Sequence, residues 1–161
     1  MKFCLSIGML LVTTMLLITS CGEPAIEADK MEDYVKPVAA FMSTSGVQLF
    51  SYFGTEAYKK EKVTLEAQIC TSGSFGKNPA LFTCKFAVDG VDFKNIVMVS
   101  EEDKKKVSET LKKVEVESKG EKESITVIVE AILIKEGSNK SPFGGEINLK
   151  FDEGKVLQIK E

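Results

Sequence analysis

Four cysteines punctuate this 161-residue chain: Cys4 and Cys21 in an apolar first stretch, Cys70 and Cys84 in its polar body. Cys70 and Cys84 lack the CxxC spacing of a redox pair, and the chain has no histidine to complete a zinc site with them. Glu130 interrupts the apolar run "IVEAILI", where a carboxylate can serve as a tuned acid or as a polar group in a ligand cavity. Two glycine-flanked loops, "SGSFGKNPALF" and "NKSPFGGE", each hold a lone phenylalanine near a lysine: Phe75 with Lys77, and Phe143 with Lys140. An exposed aromatic on such a loop can enter a partner's pocket. Folded back, the same ring would cap the end of a sheet, with the glycines serving the turns. Asn139-Lys140-Ser141 matches a glycosylation acceptor, but Pro142 follows and the match is read as chance. The GxSxG, P-loop and GxGxxG patterns are absent.

The missing residue types restrict the chemistry further. Without histidine there is no Ser-His-Asp or Cys-His arrangement and no base that titrates unaided near neutrality. All 21 basic side chains are lysines, so no guanidinium can clamp a carboxylate or phosphate in two-pronged fashion. A catalyst would have to work with carboxylates, Lys, Tyr, Ser or Cys alone. A carboxylate-dependent hydrolase therefore ranks last, and neither catalytic residues, a metal nor a cofactor is expected. The formal charge of −3 lacks the concentrated cationic face that counterion release from a phosphate backbone requires. Nucleic acid is accordingly not expected as a partner.

Met1-Lys2 provides a minimal positive start, and Phe3 to Ile18 is apolar save for Ser6, Gly8, Thr13 and Thr14. A run of about 16 residues falls short of the roughly 20 that cross a bilayer as a helix. It reads as an export signal spanning residues 1–20. Ile18-Thr19-Ser20-Cys21 resembles the lipobox of bacterial lipoproteins: an aliphatic residue, two small ones, then Cys. The resemblance implies diacylglycerol transfer to the Cys21 sulfur, cleavage before Cys21 and acylation of the new amine, palmitate being a typical chain. One acyl chain holds a protein only marginally, whereas two or more anchor it stably. Ordinary secretion, with a cut before Glu23, is the alternative. Gly22 is not the Asp that resembles an inner-membrane retention signal, which favours an outer-membrane destination over an inner-membrane one. Losing Lys2 with the signal makes the mature chain one charge more acidic than the full one.

In an exported chain, oxidising conditions favour a Cys70–Cys84 disulfide. Its closed loop of about 15 residues is worth roughly 3 kcal/mol by chain entropy. The strand pattern resists it. Val63, Leu65, Ala67 and Ile69 alternate with Thr64, Glu66 and Gln68, so a regular strand puts Cys70 on the polar side. Cys84 shares its parity with Phe82 and Phe86, the side expected to be buried. One bridge fits both only where the chain has left strand geometry by Cys70, as Thr71-Ser72-Gly73 permits.

These groups must be positioned by the remaining elements. Residues 21–29 read as the lipidated terminus and a short tether, and 30–161 as one domain. Met31, Tyr34, Val35, Val38, Phe41 and Met42 recur at helical spacing, with Pro37 kinking or restarting the helix. "VQLFSYF" leans to a strand, and "DGVDF" supplies a tight turn. Ser100 is an N-cap followed by three acids, with Lys112 and Lys113 in the helix's last turn and Val107, Leu111 and Val114 as its buried stripe. Lys104-Lys105-Lys106 reads as a solvated face. "SITVIVEAILIK" is apolar on both parities, as a central strand requires, and 145–161 reads as a hairpin turning at Asp152-Glu153-Gly154. The sum is an α+β domain: an antiparallel sheet of about six strands with one or two helices packed on it. The function expected is a non-catalytic binding or assembly module anchored in the envelope, contacting an unidentified protein or envelope component. The alternative is a carrier of a small apolar ligand or lipid beneath the sheet, with Glu130 near its cavity.

Overall fold

The alternation at residues 63–69 belongs to a long strand that does double service in the sheet. A computed structural model describes residues 25–45, 49–120, 123–139 and 145–160. Residues 1–20, read above as an export signal, and Cys21, Lys140 and Phe143 lie outside the described residues. Chain order is β1 (Asp29–Lys30), α1 (Met31–Tyr34), α2 (Lys36–Ser45), α3 (Leu49–Tyr52), β2 (Lys62–Phe75), β3 (Asn78–Thr83), β4 (Phe86–Val88), β5 (Val91–Phe93), β6 (Ile96–Val99), α4 (Glu101–Glu117), β7 (Ile125–Asn139) and β8 (Ile147–Lys160). The fold is mixed α and β, with one large sheet and few helices.

The first half of β2 pairs antiparallel with β7 and its second half with β3. β3 pairs with β6, β6 with β8, and β8 with β7. Five strands thus form a closed circuit, β2-β3-β6-β8-β7. Direction cannot alternate all the way round a ring of five, so one seam must be parallel. It falls between β6 and β8. The short strands β1, β4 and β5 extend the sheet to eight. The expected antiparallel sheet of about six strands is therefore corrected to eight strands of mixed direction: closure demands the parallel β6–β8 seam, and β1 and β5 add parallel pairs with β2 and β8. With α4 inserted between β6 and β7, the connectivity is that of the five-stranded Greek-key barrels of the OB class.

Closure fills the interior with the barrel's own side chains: Leu65, Ile69, Leu81, Val129, Leu149 and Phe151 are at most marginally exposed. Helix α4 lays Val107 and Val114 on this core. Ser100 caps it, its hydroxyl oxygen accepting from the Asp103 N–H at 3.1 Å, and the Asp103 carboxylate accepts from the Val156 N–H at 3.2 Å. The helix runs through Glu117, one turn beyond Lys112 and Lys113, so no base lies in its last turn. Pro37 stands in the first turn of α2, where its missing N–H costs nothing and the helix restarts.

Two further expectations change. Leu49–Tyr52 of "VQLFSYF" is a helix, not a strand, because Leu49 and Tyr52, three apart, both turn into the core. Residues 147–160 form one continuous strand rather than a hairpin. Glu153 does adopt a left-handed φ of 53°, but the distortion is a bulge in the β6–β8 seam, between the pairs Val97–Phe151 and Val99–Gly154. The Asp89-Gly90 turn holds as read, both residues at positive φ between paired Val88 and Val91.

Candidate binding face

Cys70 and Cys84 are joined by a disulfide, with Cα atoms 4.9 Å apart. The parity conflict dissolves at both ends. In β2 the register passes from Ile69–Thr83 to Thr71–Phe82, so Cys70 is the extra residue of a bulge and looks outward. In β3 the buried parity is that of Leu81 and Thr83. Phe82 lies outward and half-buried, and Cys84 follows it after the strand has ended, its N–H donating to the Gln68 carbonyl at 2.8 Å. The expectation that Phe82 belongs to the inner side with Phe86 is corrected accordingly.

The bulge also sets up a surface. Beyond it, Thr71, Gly73 and Phe75 of β2 share an outward face with Asn78, Ala80 and Phe82 of β3, and with Ile96 and Met98 of β6. Gly76, at a φ of +62°, turns the chain from Phe75 back to Asn78 and leaves Lys77 exposed at the tip. The Lys150 ammonium of β8 stands 4.6 Å from the centre of the Phe75 ring and 3.2 Å from the Glu136 carboxylate. Strands β3 and β6 lie between β2 and β8 in the sheet, so a contact between Phe75 and Lys150 requires this face to be concave. Ala80 and Ile96, which lie between them, are 0% and 7% exposed although they face away from the barrel interior. Phe75 is 36% exposed, with the Lys150 ammonium against its ring.

Phe75 therefore lies over the sheet, against Lys150, while part of its ring stays exposed. Lys77 is exposed and projects from the turn. The partner loop leaves β7 after Asn139 and enters β8 at Ile147, residues that pair directly, but Lys140 and Phe143 themselves lie outside the described residues. Glu130 is elsewhere. It sits on the outward side of β7, opposite Thr64 and Lys155, with its carboxylate 3.5 Å from the Lys62 ammonium. Sequence reasoning passed over Met98 and Lys150 and placed Phe82 on the inner side. The signal was present in "PALF" and "IVMV", which are apolar on both parities and so have an outer face to cover.

Among the described residues no group of three or more Cys, Asp or Glu is placed to hold a metal, and no helix is long and apolar enough to cross a membrane.

No protein-family model matches this chain. No curated protein matches it either. Solved structures align with it only loosely. A putative aspartyl-tRNA synthetase from Leishmania major Friedlin shares 12% identity over 89% of this chain and 23% of its own, with a TM-score of 0.35. Asparaginyl-tRNA synthetase from Pyrococcus horikoshii shares 21% over 64% of this chain and 21% of its own, at 0.33. Aspartyl tRNA synthetase from Entamoeba histolytica shares 21% over 66% and 20%, at 0.26. The chain spans less than a quarter of the length of each. These proteins are synthetases named for tRNA, and the expectation that excluded nucleic acid as a partner is withdrawn on that finding. Likenesses this distant equally give no argument that this chain binds it.

Proposed function

We propose that the protein is an envelope-anchored bacterial lipoprotein whose barrel is a non-catalytic binding or assembly module, with the concave Phe75 face as its working surface. The anchor rests on Ile18-Thr19-Ser20-Cys21 at the end of an apolar export segment. The single observation that carries the module is the Phe75–Lys150 contact across two intervening strands, which makes a cupped surface with an open aromatic edge. Aromatic rings bordered by a few charged groups are the composition in which binding energy concentrates. A module is favoured over a carrier because the barrel interior is filled by its own side chains.

A photo-crosslinking residue placed at Met98, Phe75 or Val116 in the full-length protein in cells tests this. Val116 is 77% exposed on the far end of α4 and serves as the control surface. The expected result is one discrete adduct in the envelope fraction from positions 75 and 98 and none from 116. Phe75→Ala should reduce the adduct from 98 about tenfold, a loss of roughly 1.4 kcal/mol in binding. Equal adducts from all three positions, or an adduct with nucleic acid alone, would overturn the proposal.

A further inference from the structure

All three tyrosines of the chain line one cleft of about 300 Å³, on the side of the barrel where α1, α2 and the turn after α3 meet β2 and β7. Pro37, Val38, Val63 and Leu133 supply its apolar walls, and Glu61 and Lys59 stand at its mouth. None of these residues belongs to the Phe75 face. The volume is at the lower limit of small-molecule sites, which are commonly apolar with a few convergent polar groups.

The rings are held in place before any ligand arrives. Tyr58 donates its hydroxyl to the Leu133 carbonyl at 3.0 Å and meets the edge of Phe53 at 5.0 Å. Tyr52 is fixed edge-on between Phe41 and Phe53, at 5.5 and 5.9 Å. Tyr34 leans on Phe151 at 6.0 Å. The hydroxyls of Tyr34 and Tyr52 have no hydrogen-bond partner among the described residues, so their oxygens remain free to serve a ligand. Rigid rings lose little entropy on binding.

The lining carries two carboxylates, Asp33 and Glu61, against one ammonium, Lys59. Burial pushes the Tyr34 phenol up to about 12, and the neighbouring Tyr52, Tyr58 and Glu61 push in the same direction. Asp33, the other carboxylate in the lining, is already paired with Lys36. Aromatic faces, phenol oxygens and a carboxylate with no ion pair among the described residues together attract a weakly hydrated cation. The Lys135 ammonium already rests 5.6 Å from the centre of the Tyr58 ring, a second such contact beside that of Lys150 with Phe75.

We propose that the three-tyrosine cleft is a second ligand site, built for a small organic ammonium ion with an apolar body, such as a quaternary amine. The rings and apolar walls take up the methyl groups, Glu61 balances the charge, and the free phenols meet whatever hydroxyl or N–H the ligand carries.

The test is calorimetric titration of the soluble mature protein with choline and with 3,3-dimethylbutan-1-ol, its uncharged isostere. Choline should bind saturably in the millimolar range and the alcohol at least about tenfold more weakly, since charge over the rings supplies the difference. Glu61→Gln, at an exposed position, should weaken choline about three- to tenfold at unchanged melting temperature. Tyr34→Phe, which keeps the ring, should weaken it less. Equal binding of choline and the alcohol would overturn the proposal, as would the absence of saturable binding by choline. Phe75→Ala should bind choline like the unaltered protein, so the outcome here is independent of the role proposed for the other face.

Discussion

Tyr34 shows how burial writes itself into a titration curve. Its phenol, ordinarily near 10, is raised to about 12, first by desolvation and then by Tyr52, Tyr58 and Glu61. Tyr52 and Tyr58 are raised as well, also chiefly by desolvation. Below pH 10 folded and unfolded chains both keep the Tyr34 proton, and the stabilisation is fully present. Between about 10 and 12 the unfolded chain ionises while the folded one does not, so stability falls as pH rises through that window. Urea midpoints at pH 9 and pH 11 should drop less in Tyr34→Phe than in the unaltered protein. An identical drop in both would mean that Tyr34 is not held in its neutral form. Asn95 shows a different residue-scale economy. Wholly buried, it donates its N–H to the Thr83 hydroxyl at 2.8 Å and accepts the Leu149 N–H on Oδ1 at 3.3 Å, joining β3, β6 and β8 at one point.

At the scale of elements, Gly154 carries the parallel seam. A Cβ there would collide with the Met98 carbonyl oxygen and stand 2.9 Å from Val99 Cγ1, so β8 can approach β6 only through a residue without a side chain. Gly154→Ala should cost at least about 3 kcal/mol, as a backbone collision inside a packed seam does, read as a lowered urea midpoint. Gly76→Ala, with open space around it but a φ of +62°, should cost only about 1 kcal/mol. Comparable losses in the two variants would mean that the seam yields. This glycine also marks the limit of what the chain disclosed. Asp152-Glu153-Gly154 was read as a turn because a turn and a bulge use the same residues, and only the pairing of β6 with both flanks tells them apart. Local signals with one physical meaning were legible: the Ser100 cap, the Asp89-Gly90 turn, the buried stripe of α4 and the alternation of β2 up to Ile69. Closure into a ring was not, since it depends on β2 pairing with partners up to 70 residues away, Lys62 with Ile132 among them. Of the candidate site, Phe75 and Lys77 were legible from their loop, whereas Lys150 reaches Phe75 only through the curvature that closure imposes.

For the whole molecule, the proposed anchor would set what the barrel can touch. About eight residues separate Cys21 from the first strand at Asp29, and extended chain covers at most about 3.6 Å per residue, so a lipid at Cys21 would hold the sheet within about 30 Å of the bilayer. Ala25 to Glu27 are exposed, and β1 adds only the pairs Asp29–Leu65 and Lys30–Glu66 to β2, so an anchor at Cys21 would join the barrel along one edge and leave its packing to itself. Two consequences can be measured together. Cys21→Ser, which removes the sulfur proposed to take the lipid, should move the protein from the membrane pellet to the soluble fraction. Its melting temperature should match that of the soluble mature domain within about 2 °C, because the domain's core lies wholly beyond the tether. Mass spectrometry of the unaltered protein should find the acyl mass on a chain beginning at Cys21. An unmodified chain beginning at Glu23 and recovered in the soluble fraction would remove the anchor, and the envelope role proposed for the Phe75 face would go with it.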